Sequence, residues 1–203
     1  MSEKVARSMQ TTRQRIIDAA LDLFGARGVE GVSLDDIAAV VGVRKQTLLY
    51  WFASKDELVV GVLATAAEQL SLVIDAAVRA APEEPLDRID AVVCAVFRPA
   101  VRRPALLGLV REISRLPTAQ ADEVASRIRP LIDRATSYMA SEMAAGRLRA
   151  GDPALTAALA YATVTGIATE PEALRAVGWQ PTRAGLRTLR DELRAYLAAA
   201  LRP

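Results

Sequence analysis

An all-α fold is what this sequence predicts, on three observations. Alanine contributes 39 of the 203 residues while aromatic residues make up 4%, a balance that favours close-packed helices over sheets. Apolar residues return every three or four positions along most of the chain, the period of one helix face. Between those stretches stand helix start and stop signals, such as Ser33 with Asp36 followed by Gly42. With 52% apolar and 25% charged residues, the chain is too apolar for a disordered one.

The elements follow in order. A first helix is predicted over residues 13–26, capped by Thr12, with Ile16, Ile17, Ala20, Leu21 and Phe24 on one face and Gly28 at its exit. The segment before Thr12 is polar and expected to fray. Ser33 and Asp36 open a short second helix whose stripe is Leu34, Ile37, Ala38 and Val41; Gly42 ends it. A third short helix runs from about Lys45 to Phe52, with Val43, Leu48 and Phe52 inward. Ser54 and Glu57 form a second capping box that starts a long helix reaching to about Ala81, before Pro82 and Pro85. A helix is expected over residues 86–97, and Pro99 and Pro104 argue against its continuation. Another follows over residues 105–116. Residues 121–145 are helical in composition, with Pro130 arguing for a kink or two segments. Asp152 caps a helix that opens with Pro153 and ends before Pro171, and Thr182 or its neighbours start the last one, to about Leu201.

Composition also removes whole classes of chemistry. The chain has no His and a single Cys. It therefore lacks the usual neutral-pH base and imidazole metal ligand, and Cys94 has no partner for an intrachain disulfide. Set among Val92, Val93, Ala95 and Val96, Cys94 reads as a core cysteine. No Gly-rich phosphate loop or paired-carboxylate motif stands out. No metal, no cofactor and no enzymatic activity are expected. No early apolar run has the length and flanks of a signal peptide, and no 18-residue uncharged apolar stretch is present. The expectation is a cytoplasmic protein without a membrane partner.

Two short helices joined by a tight Gly-containing turn make a helix-turn-helix pattern. The net charge of +2 lies wholly in residues 1–55, which hold all three lysines, a modest basic bias compatible with phosphate contact. A helix of this kind fits the major groove, where base edges differ in donor, acceptor and methyl pattern. The candidate DNA-facing set is Arg44, Lys45, Gln46, Thr47, Tyr50, Trp51 and Lys55. Gln46 suits an adenine edge, and Arg44 or Lys45 a guanine or a phosphate. Thr47 suits a phosphate or a thymine methyl, and Lys55, at a helix start, a flanking phosphate. Tyr50 and Trp51 have a second reading as packing residues between the third and fourth helices. Arg44 and Lys45 have one as a solvated pair, and Leu49 reads as partly buried.

Residues 12–58 together resemble the TetR family of transcriptional regulators. The resemblance rests on the first helix, the Phe24-Gly25 and Gly28 segment, Ser33-Leu34, Ile37-Ala38, Gly42-Val43, Thr47-Leu48, Phe52 and Ser54-Lys55. The family often has Tyr where this chain has Leu49, and Ser or Thr where it has Arg44. The resemblance implies a helix-turn-helix DNA-binding head over residues 1–54 and a helical effector-binding and dimerisation domain over residues 55–203.

One short reading helix covers few base pairs, so two copies about a twofold axis are expected to read a palindromic double-stranded DNA operator. The natural seam lies on the C-terminal helices. It draws small residues from Ala154, Ala157, Ala158, Tyr161, Ala162, Thr165 and Gly166, and larger ones from Leu186, Leu189, Leu193, Tyr196, Leu197 and Leu201. Arg183, Arg187, Arg190 and Arg194 flank it. The resemblance implies pairing of the last two helices across a homodimer, a repressor role, and a small-molecule effector bound among the central helices. Candidate effector contacts are Phe97, Arg98, Leu109, Arg111, Ile113, Tyr138 and Trp179. Their apolar majority favours a lipophilic or aromatic ligand, and each also reads as an ordinary core or surface residue. The competing reading is a helical protein-interaction or nonspecific DNA-binding protein with no small-molecule switch.

Overall fold

The computed structural model describes residues 3–102, 106–169, 171–180 and 182–203. Among them are ten α-helices, one 3-10 turn and no strand. The head comprises α1 (Glu3–Arg27), α2 (Leu34–Val41) and α3 (Lys45–Trp51), and α4 (Lys55–Ala80) leads out of it. The remainder is α5 (Pro85–Arg102), α6 (Leu106–Glu112), the 3-10 turn (Ile113–Arg115), α7 (Thr118–Ala144), α8 (Pro153–Thr169), α9 (Pro171–Ala176) and α10 (Arg183–Leu201). α4 packs on α5 and α7, α10 on α5, and α8 on α6 and α7.

The helix ends are set by the capping residues. Ser33 Oγ accepts the Asp36 amide at 3.1 Å while the Asp36 carboxylate accepts the Ser33 amide at 2.8 Å, satisfying two orphan donors at once. Gly42 leaves α2 at φ +74°, a conformation that glycine adopts without steric cost. Ser54 Oγ accepts the Glu57 amide at 3.1 Å, but the Glu57 carboxylate reaches the amide of Ala53 rather than Ser54, at 2.7 Å. Asp152 Oδ1 accepts from Ala154 and Leu155 at 2.9 and 3.0 Å, and Thr182 Oγ1 from Gly185 at 3.1 Å.

Four expectations are corrected. α1 begins at Glu3, so Thr12 lies inside the helix and does not cap it; residues 3–12 contain no Pro or Gly to stop a helix. α5 runs through Pro99 to Arg102. Pro99 falls in the last turn, where Phe97, Ala100 and Val101 pack into the core and hold the helix together. α7 is one helix through Pro130, which removes the two-segment alternative; Pro130 and Ser126, whose carbonyl loses its usual donor, are both exposed, so water can satisfy it. The short α9 was not foreseen. Pro104 and Ala105, invoked above, lie outside the described residues.

Three apolar clusters make the interior. The first joins Ile16, Ile17, Ala20 and Phe24 of α1 to Ile37, Leu48 and Phe52, then to Leu58 and Val62 of α4, Leu109 of α6 and Val124 of α7. The second lies between α5 and α10, around Val93, Phe97, Leu186, Leu193 and Leu197. The third gathers Met139, Leu148, Ala157 and Leu201. Each fully buried Val, Leu, Ile, Phe or Met side chain among them contributes about 1.5–3 kcal/mol. Beside the third cluster, the buried Glu142 accepts Arg147 Nη2 at 2.9 Å, and that pairing holds its carboxyl below the ordinary value. α4 is long and apolar enough to cross a membrane by composition. Its N-terminal half, with Leu58, Val59, Val62 and Leu63, packs into the first cluster, while Leu72 and Val73 stay exposed.

Phe52, 2% exposed, sits over Gly61 of α4, where an added Cβ would lie 2.9 Å from its Cε1. Gly61 therefore provides the seat by which the end of the head meets α4. Gly61→Ala gains about 1 kcal/mol of helix propensity, yet overpacking of about 1–3 kcal/mol opposes it. The expected result is a net loss of stability and a lower urea midpoint; an unchanged or raised midpoint would show that the ring moves aside freely.

Candidate nucleic-acid interface

The reading surface is organised by one buried residue. Leu48 is fully buried, and successive side chains on α3 turn by about 100°. Gln46 and Tyr50 therefore stand on the crown opposite Leu48. Leu49 and Lys45 form one shoulder, Thr47 the other, and Trp51 turns back toward the interior. Exposure follows this geometry. Arg44, Lys45, Gln46 and Thr47 are exposed, Tyr50 is 71% exposed, and Trp51 is half-buried against the first cluster. The rings of Tyr50 and Trp51 meet edge to face at 5.3 Å, which braces the exposed phenol. Trp51 thus occupies the packing position that the sequence left open. Leu49, expected to be partly buried, is 37% exposed.

Arg44 is the N-cap of α3 and makes no side-chain cap, as a chain lacking Ser or Thr there requires. Lys45 Nζ donates to Asp35 Oδ2 at 2.7 Å, drawing Lys45 toward α2. Lys55, half-exposed, is the first residue of α4 beyond the Ser54 cap. Two α1 residues steady this arrangement. Arg15 donates to the carbonyl of Val41 at the end of α2, and the Arg13 guanidinium lies 5.2 Å from the centre of the Phe52 ring. Ser33 hydrogen bonds, side chain first and backbone second, hold the Asp36 carboxyl below its ordinary value.

Sequence reasoning missed Asp35, Arg13, Arg15 and Gly61 as supports of this surface. Asp35 had a readable signal, an acid in the first turn of the helix preceding a basic one; the others depend on contacts between distant segments.

The candidate effector contacts do not converge. Phe97 and Trp179 share the second cluster, where Trp179 Nε1 donates to the Gly185 carbonyl at 3.1 Å. Leu109 and Ile113 belong to the first cluster, so they join the head to the core. Arg98 is exposed and Arg111 half-buried. Tyr138 lies beside the third cluster under the Arg88 guanidinium, 5.8 Å from its ring centre; burial pushes its phenol up. A cavity of about 30 Å³ between α5 and α10 is lined by Leu86, Ile89, Asp90, Val93, Arg194, Leu197 and Ala198, residues outside the expected set. Arg194 Nη2 donates to Asp90 Oδ2 across that seam at 3.0 Å. Among the described residues no group of three or more acidic or Cys side chains is placed to hold a metal ion.

The expected dimer seam is redrawn as well. Leu186, Leu193, Leu197 and Leu201 are buried in their own chain, so α10 turns its leucine stripe inward. Arg194 likewise faces α5 rather than flanking a seam. The apolar residues left outside are Leu155, Leu159 and Tyr161 of α8 and Tyr196 of α10, with Ala154, Ala158 and Ala162 exposed beside the first three. The placement of the Thr165 side chain and the exposure of Gly166 lie outside what the structure describes.

The chain is thus a three-helix head with a helix-turn-helix reading surface, carried on a helical core. Residues 16–62 match the family model described as bacterial regulatory proteins, tetR family. The regulator SrpR of Pseudomonas putida is 43% identical over 72 residues, which cover 36% of this chain and 34% of that one. RutR of Escherichia coli K12 is 29% identical over 165 residues, covering 74% of this chain and 70% of that one. The crystal structure of a TetR transcriptional regulator from Chloroflexus aurantiacus superposes with a TM-score of 0.72 at 25% identity, over 97% of this chain and 98% of that one. Matches to the first curated relatives span about a third to a half of those proteins' own length. Residues 16–62 thus form a head of the tetR type, and the chain as a whole shares the fold of solved TetR regulators.

Two outcomes follow from the head's charges. Asp35→Asn removes an acid beside the reading helix and releases Lys45, so affinity for nonspecific duplex at low salt should rise about two- to fivefold and fall back at high salt. Much of the gain should vanish in a Lys45→Gln background; an anisotropy titration showing equal affinities would disprove the tether. Asp36 has a folded pKa below its unfolded one, so its contribution is present above the carboxylate range and lost as pH falls through it. Asp36→Asn should lower the melting temperature at neutral pH, with the gap from the parent closing below about pH 4; a gap independent of pH would exclude an ionised cap.

Proposed function

We propose that this protein is a sequence-specific DNA-binding transcriptional regulator that works in the cytoplasm as a homodimeric repressor. It leaves a palindromic operator when a small lipophilic or aromatic effector binds. The observation that carries the reading is the α3 surface. Gln46 and Tyr50 are presented outward from a rigid buried anchor, with Thr47 on one shoulder and Lys55 at the next helix start. Gln46 offers an amide to an adenine edge, while Thr47, Tyr50 and Lys55 offer donors to phosphates; Arg44 and Lys45 add charge. Half-buried Trp51 acts through Tyr50, which it braces.

The exposed apolar face of α8, which carries no charged residue, together with Tyr196 is the surface proposed to meet a second copy. Repression then needs only occupancy of the operator. The second cluster, with Phe97 and Trp179, is the proposed effector seat. A drug-sized ligand needs roughly 300–1,000 Å³, against the cavity of about 30 Å³ at the neighbouring seam. Entry therefore has to separate α5 from α10 and strain the Asp90–Arg194 pair. Leu109 links α6 to the head cluster and offers a route from core to head. The switch requires only that effector and DNA prefer different arrangements; a tenfold loss of DNA affinity takes about 1.4 kcal/mol of coupling.

Selection of duplexes from a random library by the purified protein tests this reading. The expected outcome is an enriched palindrome. Thr47→Ala and Lys55→Ala should each weaken binding to it by about three- to tenfold, leaving the dimer and helical content intact. Lys55→Ala should also reduce the salt dependence by about one counterion per subunit. A folded protein that enriches no sequence, across a range of salt, would overturn the proposal.

A further inference from the structure

Leu49 is an exposed aliphatic side chain on a surface otherwise made of amide, hydroxyl and cationic groups. It is 37% exposed although its neighbour Leu48 is fully buried, so it is not simply a second core residue that fails to reach the interior. It stands three positions after Gln46, which places the two as neighbours on one flank of α3, about 5–6 Å apart at Cβ. Lys45 lies on the same shoulder but is drawn away toward Asp35. The shoulder that faces outward beside Gln46 is therefore apolar.

An aliphatic group on such a shoulder has no atom with which to hold a phosphate. Base edges in the major groove offer donors and acceptors to polar side chains, and a single apolar projection, the C5-methyl of thymine. We infer that Leu49 is a specificity-determining residue that packs on the methyl of one thymine in each operator half-site, at or beside the A·T pair whose adenine faces Gln46. The inference rests on the DNA-reading function proposed above. It adds a chemical demand on the operator: a thymine that cytosine or uracil cannot replace without loss.

The test uses the full-length protein and the selected palindrome. Each thymine of a half-site is replaced in turn by deoxyuridine, which keeps every hydrogen bond and removes one methyl. One position per half-site should weaken wild-type binding about three- to fivefold, and both half-sites together about tenfold or more. Leu49→Ala should bind the thymine and uracil duplexes equally at that position, and Leu49→Met should recover part of the preference. If every uracil-substituted duplex binds the wild type as tightly as the parent, the inference is wrong and the DNA-reading function stands. If the loss persists undiminished in a folded Leu49→Ala protein, another side chain reads the methyl and the inference is equally wrong. A library that enriches no duplex overturns both together.

Discussion

The arrangement depends on one continuous apolar cluster that does not stop at the boundary of the head. Ile16, Ile17 and Phe24 of α1 meet Ile37, Leu48 and Phe52, and the same cluster takes in Leu58 and Val62 of α4, Leu109 of α6 and Val124 of α7. A three-helix head of about fifty residues is too small to bury much apolar surface alone. Its stability and its orientation therefore come from the same contacts. The absence of a side chain at Gly61 lets Phe52 close that junction. Leu48 of α3, Leu58 of α4 and Leu109 of α6 therefore share one packed interior.

Around this core the polar interactions play a secondary role. The Lys45–Asp35 pair is 46% and 65% exposed at its two ends, and pairs of that kind contribute about 0–1 kcal/mol. Their effect is on direction and field, deciding where a lysine points and how much positive charge α3 presents. The Arg115–Glu30 contact at 3.4 Å, between the 3-10 turn and the head, is similarly exposed. Arg194 and Asp90 are about one-third exposed and make two hydrogen bonds across α5 and α10. That geometry is stronger than a single surface contact, and both residues line the small cavity between the two helices.

Local signals were legible where a few adjacent residues decide the outcome. Ser33 with Asp36, Gly42, Ser54, Asp152 and Thr182 each mark a helix end found in the structure. The inward positions Ile16, Ile17, Phe24, Leu48 and Phe52 were readable from periodicity. Pro99, and Pro130 in its two-segment alternative, were misread because the cost of a helical proline is fixed locally, whereas what offsets it is not. Leu49 and Trp51 share one short helix, and only the direction of the core distinguishes the exposed residue from the half-buried one.

By itself the sequence determined the helical class, most helix starts and the helix-turn-helix head, because propensity, capping and the spacing of apolar residues act within a few positions of the chain. It also showed that the chain carries no His and a single Cys, since composition is independent of folding. The tertiary structure alone decided that the α10 leucines turn inward while Leu155, Leu159 and Tyr161 of α8 stay outside. It separated Phe97 and Leu109 into different clusters, set Tyr138 under Arg88, and tied Lys45 to Asp35. The physical reason is common to all of these. A helix periodicity states that one face is buried but not against what, and that second fact depends on residues far away in the chain.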